Sequence, residues 1–287
     1  HDPFRDLRLD DGFVAAASIR EASAAERRPG PPRRRTDRRR WAFVVVAMVA
    51  IVFAATRDRG AGDAVVLGDI DRPPAGVGAR PAPLGVPPVV RTDGPHEFVL
   101  RQDDGNPVAY DPCRSIAVVV NDRTAFPGAD DLLARALADV SAATGLVFEV
   151  ESATDEAPSD DRSPYQRTRY GDRWAPVLVA WSDPQESPEL AGDVAGLGGS
   201  SAVSDPRSDD VVYVTGTVVI DGPQVVMRRN EQVLAVLRHE LGHLVGLDHV
   251  DDPTQLMNAT AVAVTDFAAG DRTGLAALGG GDCRPGI

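Results

Sequence analysis

The sequence predicts an α+β fold with a mixed, twisted sheet. Two observations carry this: several short β-branched runs, and two amphipathic helical stretches set among them by polar or glycine-rich connections. The first run, SIAVVVN (Ser115 to Asn121), lies between Pro112 and Pro127-Gly128 and reads as a strand. After it, ADDLLARALADVSAATG (Ala129 to Gly145) spaces Leu132, Leu133, Ala136, Leu137 and Val140 as one helical face. Acids stand in its first turn and a glycine at its end. LVFEV (Leu146 to Val150), VLVAW (Val177 to Trp181) and VVYVTGTVVI (Val211 to Ile220) are further strands. The polar stretch between the first two of these, Glu151 to Pro176, is expected to be a surface loop. The second helix, NEQVLAVLRHELGHLVG (Asn230 to Gly246), opens on a capping residue and repeats Val233, Val236, Leu237, Leu241 and Leu244 on the helical period. No internal repeat is present.

With 287 residues and 43% apolar composition, the chain can bury a core but is longer than one ordinary domain requires. Its charge is uneven. Residues 1–40 carry 11 Arg against 7 acids, whereas residues 57–287 carry 19 Arg against 36 acids, and no Lys occurs anywhere. A body this negative argues against nucleic acid as a partner, because phosphate binding needs a basic surface.

Between these halves lies WAFVVVAMVAIVFAAT, residues 41–56, sixteen residues without a charge. As a helix it covers about 24 Å, a little under the roughly 30 Å hydrocarbon core of a bilayer. Eight arginines in RRPGPPRRRTDRRR (Arg27 to Arg40) flank it, which places its near side in the cytoplasm and everything after Thr56 outside. The expected organisation is a cytoplasmic Arg-rich segment (1–40), a transmembrane signal anchor (41–56), a Pro/Gly-rich linker (57–95) and a folded domain (96–287). Cleavage after Val52-Phe53-Ala54 and secretion is the alternative, weighed down by the length of the leader. The linker, with DRPPAGVGARPAPLGVPP at its centre, shows no sustained period and reads as a semi-extended tether.

Three of the five histidines crowd into RHELGHLVGLDH, Arg238 to His249. His239 and His243, four apart on a helix, share one face about 5 to 6 Å apart, close enough for two imidazoles to bind one metal ion. Glu240 is rotated by about 100° from His239, where it can reach a water on the metal without binding the metal itself. Gly246 allows a positive φ that ends the helix, so that the turn can carry His249 back as a third ligand. Three protein ligands leave one position open, the arrangement of a catalytic zinc. By the chain's own composition this pattern arises by chance on the order of once in 100,000 such sequences.

HELGHLVGLDH resembles the zinc signature of the metzincin metallopeptidases, and the following LMN, Leu256 to Asn258, is similar to the Met-turn of their matrixin branch. DFAAGDRTGLAALGGG (Asp266 to Gly281) looks like the closing helix of matrixin catalytic domains. DPCRSIAVVVN and RYGDRWAPVLVAW look like actinobacterial matrixin-like peptidases, secreted or membrane-tethered. The resemblance implies a metzincin-like domain with one Zn2+ per chain on His239, His243 and His249. Glu240 would be the general base and acid, and Met257 would lie beneath the histidines. A peptide or protein substrate would lie extended along an edge strand, for which GDVAGLGGS, Gly192 to Ser200, is the candidate. The sequence departs from the family at Val250 and at Asn258-Ala259, and only His1 and His96 remain for any second zinc site. Cys113 and Cys283 are expected to form a disulfide in an exported domain, the rival being a zinc-ligating Cys113. Two other classes stand beside the peptidase: a catalytically inactive zinc-binding or adhesion module, and a signalling protein whose segment Leu9 to Arg27 binds a partner.

Overall fold

The computed structural model describes residues 64–68, 70–208, 210–260 and 263–287. Segments 1–40 and 41–56 lie outside them. Among the described residues no helix is long and apolar enough to cross a membrane.

The strands are β1 (Val65–Leu67), β2 (Glu97–Phe98), β3 (Ala109–Tyr110), β4 (Ile116–Asn121), β5 (Phe148–Ala153), β6 (Val177–Ser182), β7 (Gly196–Ser204), β8 (Val211–Asp221) and β9 (Leu247–Asp248). The helices are α1 (Ala129–Thr144), α2 (Arg167–Tyr170), α3 (Gly222–Val225), α4 (Asn230–Val245) and α5 (Ala269–Gly279). One sheet has the order β1-β7-β8-β6-β4-β5, with β3 also paired to β8. All its pairings are parallel except β7 with β8, so the sheet is mixed, as expected. β2 and β9 form a separate antiparallel pair.

β6 explains why the central strands read as continuous apolar runs rather than alternating ones. Val177, Val179 and Trp181 face the cluster formed with α1 and α4, whereas Leu178 and Ala180 face the opposite side, where Tyr170 packs on them. A strand covered on both faces has no polar side to show. Tyr170 belongs to the polar insertion, so the expected surface loop, Glu151–Pro176, is docked on the sheet, with its first residues, Glu151–Ala153, in β5. It holds down through a buried ion pair: the Arg162 guanidinium donates to Glu156 (2.9 and 3.1 Å), to Thr215 Oγ1 (3.0 Å) and to the Pro176 carbonyl (2.8 Å).

The expected tether also differs over its described part. From Ala64 onward the chain is strapped to the domain: β1 pairs with β7, and Arg80 N–H donates to Cys113 O (2.8 Å), Leu84 N–H to Pro112 O (2.9 Å) and Gly76 N–H to Ile287 O (3.0 Å). Gly85 faces the backbone of Gly145, and Gly94 that of Gly270, so closely that a Cβ would collide at 2.3 and 2.6 Å. Glycine and proline here serve close backbone packing, which composition alone does not distinguish from flexibility. Cys113 and Cys283 are disulfide-bonded with Cα atoms 5.3 Å apart, tying the entry to β4 to the C-terminal tail.

Candidate metal centre

α4 forms because its apolar positions fall on one stripe. Val233, Leu234, Leu237, Leu241, Leu244 and Val245 are buried against the sheet and α1. Burying each leucine stabilises by roughly 1.5–3 kcal/mol before entropy is counted. The helix starts one residue earlier than its sequence suggests, with Arg229 at the cap position, its N–H reaching the Gln232 side chain (3.3 Å). It stops at Gly246, whose φ of +120° and contacts with Leu278 and Tyr213 leave no space for a Cβ. Beyond it, β9 pairs with β2 and returns the chain so that His249 meets the helix.

The three imidazoles converge. His239 Nε2, His243 Nε2 and His249 Nε2 form a triangle with every side 3.1 Å. His239 Nδ1 donates to the Leu256 carbonyl (2.8 Å) and His243 Nδ1 to the Leu247 carbonyl (2.8 Å). A carbonyl can only accept, so the proton of each neutral ring sits on Nδ1 and Nε2 presents a bare lone pair. Burial depresses the pKa of His239 to about 4, that of His243 well below the usual value, and that of His249 in the same direction against the opposing pull of Asp248. The rings are therefore uncharged at neutral pH. The lone pairs of His239 and His243, 3.1 Å apart, repel unless a cation lies between them. Two nitrogens bound at about 2.0–2.1 Å in tetrahedral geometry are about 3.3 Å apart. The triangle thus fits a zinc ion, with one position left facing the cleft.

Met257 packs against α4 at Gly242. It is buried, and its sulfur sits 2.6 Å from where Gly242 would carry a Cβ, so the thioether packs into the gap that this glycine leaves in α4. Asp271, in the first turn of α5, is buried and accepts the backbone N–H groups of Leu256 (2.8 Å), Met257 (3.2 Å) and Ala268 (2.8 Å). Gln255 Oε1 accepts from Gly270 N (2.8 Å). The backbone that positions His239 is thus pinned from α5.

Glu240 lines the same cleft as the three histidines. No group among the described residues hydrogen-bonds its carboxyl, and burial pushes its pKa up to about 8 when no cation is near; a metal ion on the triad would lower it and favour the carboxylate. Above it runs β7. Gly196 rests on the Glu240 side chain, where a Cβ would lie 2.8 Å from Cγ, and Gly198 faces the Glu240 carbonyl oxygen, from which a Cβ would lie 2.2 Å. Ser200 Oγ donates to Leu244 O (2.7 Å) and lies 2.7 Å from Tyr110 Oη, fastening the strand to the helix. GLGGS is therefore a strand, not a flexible loop, and its glycines bring it against α4. Gly196, Gly198, Gly242, Gln255 and Asp271 were not singled out from sequence for these contacts. Cys113 is held by Cys283 and His96 bonds the Gly94 carbonyl, so neither joins the triad.

An α+β fold with two histidines on one helix, a third after a glycine turn and a buried methionine packed against that helix defines a zinc peptidase of the metzincin kind. The matrixin peptidase family model matches residues 119–278. This is more than half of the chain, and the chain belongs to that family; it is a zinc metallopeptidase. Among solved structures it is similar to archaemetzincin from Methanopyrus kandleri, at 16% identity over 55% of this chain and 92% of that one, with a TM-score of 0.30. It is also similar to a zinc-dependent peptidase from Methanocorpusculum labreanum, at 14% identity over 56% of this chain and 100% of that one, with a TM-score of 0.25. No curated protein matches it.

Proposed function

We propose that the chain is an endopeptidase acting outside the cell, with one zinc ion held by His239, His243 and His249 and with Glu240 as general base and then general acid. The observation that carries this is the convergence of three histidine Nε2 atoms beside a carboxyl that has no hydrogen-bond partner among the described residues, in one cleft. A zinc ion on the triad supplies Lewis acidity and lowers the pKa of water at the site. Glu240 takes one proton from the attacking water as its oxygen bonds the peptide carbonyl carbon. It then delivers that proton to the amide nitrogen as the C–N bond breaks, so no proton is lost from the balance. Asp271 fixes the Leu256 backbone that accepts from His239, and the Nδ1 bonds of His239 and His243 keep the Nε2 atoms of these two rings aimed inward.

The substrate is a peptide laid extended on the outer edge of β7 by strand addition. Residues 41–56 anchor the chain in the membrane, and the disulfide supports an oxidising compartment. The test is digestion of a peptide library by the zinc-loaded chain beside Glu240→Ala. The expected result is internal cleavage by the first alone. Cleavage by both, or by neither, defeats the proposal, and the second outcome is what an inactive binding module gives.

A further inference from the structure

The outer edge of β7 is divided in two. From Ser201 to Val203 it carries β1, paired parallel in the register Val65 to Ser201, Val66 to Ala202 and Leu67 to Val203. One residue on, the Arg72 guanidinium donates to the Ser204 carbonyl (2.7 Å). From Gly196 to Ser200 no strand occupies this edge among the described residues, and Leu197, Gly198, Gly199 and Ser200 line the cleft together with His239 and Glu240. Val65 stands at the boundary and lines the same cleft. A sheet edge offers one row of N–H and C=O groups and accepts one strand at about 4.8 Å. A peptide extended along Gly196–Ser200 therefore runs into β1 at Ser201.

We propose that β1 is a specificity element, a built-in stop that limits how many substrate residues on one flank of the scissile bond can pair with β7. This rests on the peptidase reading above. The level of the chemistry along β7 is marked by Gly196 and Gly198, the residues that touch Glu240. From there to the stop the edge offers Leu197–Ser200, about 14 Å at 3.4 Å per residue. A longer flank must leave the edge or remain unpaired. The opposite flank meets no such strand among the described residues. β1 is held by its backbone: the side chains of Val65 and Val66 leave these residues 54% and 47% exposed, so loss of their pairing leaves the domain core filled.

The experiment uses quenched fluorescent peptides sharing one cleavage site and lengthened one residue at a time on either flank, with the zinc-loaded full chain. Specificity, kcat/KM, is expected to rise with length on one flank and to level off after about four residues. In Val65→Pro/Val66→Pro, which removes two backbone donors from β1, it should continue to rise for two or three further residues, by about fivefold for each added hydrogen bond. The readout is the ratio of kcat/KM for the longest to the shortest peptide within each preparation, which does not depend on the folded fraction. Removal of residues 1–67 is the second variant and should give the same extended profile. No plateau in the unaltered chain, or the same plateau in all three proteins, overturns the stop while leaving peptidase activity standing. No cleavage of any peptide by the unaltered chain removes both.

Discussion

His239 is oriented by Asp271, although the two side chains do not touch: the Asp271 carboxylate accepts the Leu256 N–H at 2.8 Å, and the Leu256 carbonyl accepts His239 Nδ1–H at 2.8 Å. A buried carboxylate on α5 thereby fixes the direction of a metal ligand on α4 through one peptide unit. Removing it leaves three backbone donors without their acceptor. Asp271→Ala is expected to lower zinc affinity by about 10- to 100-fold, in the range of outer-shell substitutions, measured by competition with a chromogenic chelator. Unchanged affinity would show that the Leu256 carbonyl needs no such anchor.

The contact between β7 and α4 is equally specific. A Cβ at position 198 would lie 2.2 Å from the Glu240 carbonyl oxygen, a backbone atom that cannot swing aside. Gly198→Ala is expected to destabilise the fold by about 1–3 kcal/mol, as overpacking does, and to lower kcat/KM through displacement of the strand. Denaturant melts together with peptide hydrolysis check both; a neutral result would mean that β7 stands further from the helix.

The Arg162–Glu156 pair predicts a pH dependence. Burial alone would raise the Glu156 pKa, but hydrogen bonds from Arg162, Tyr170 and Gln166 outweigh it and hold the carboxyl below its ordinary value of 4.5. A depressed folded pKa means that the unfolded chain binds more protons as pH falls below 4.5. The stabilisation is therefore complete above that value and is lost as pH falls through the folded pKa. Comparing thermal melts with Glu156→Gln should show a stability gap at pH 7 that narrows below pH 4.5. A constant gap would contradict this. Arg162→Ala, which strands the carboxylate, should cost about 3–5 kcal/mol at pH 7.

The disulfide closes a loop of 170 residues. In the chain-entropy picture this contributes up to about 4 to 5 kcal/mol. The oxidised chain should contain no free thiols on titration in denaturant, and reduction should lower its unfolding midpoint without releasing zinc. Two free thiols would remove the cross-link.

The metal site was legible because its spacing is a helical one: residues four apart on an apolar-striped helix share a face whatever surrounds them. β4, β6 and β8 were legible from β-branched runs. β7 could be put forward only as a candidate edge strand, because three glycines in GLGGS leave little to pattern; the helix beneath requires those at 196 and 198. The strap from Ala64 to Pro95 was read as a tether because backbone-to-backbone packing leaves no periodic trace. Asp271 looks like an ordinary acid in a helix first turn until the fold brings it to Leu256.

Turnover at matched metal content shows whether a zinc ion on three imidazoles works with Glu240 as its base. Zinc should be measured by elemental analysis in the wild-type chain and in Glu240→Gln, and kcat determined on the same preparations. One zinc per chain is expected in both, with a fall in kcat of at least about 10²-fold in the variant. Two zinc ions, none, or equal turnover at equal zinc would contradict it.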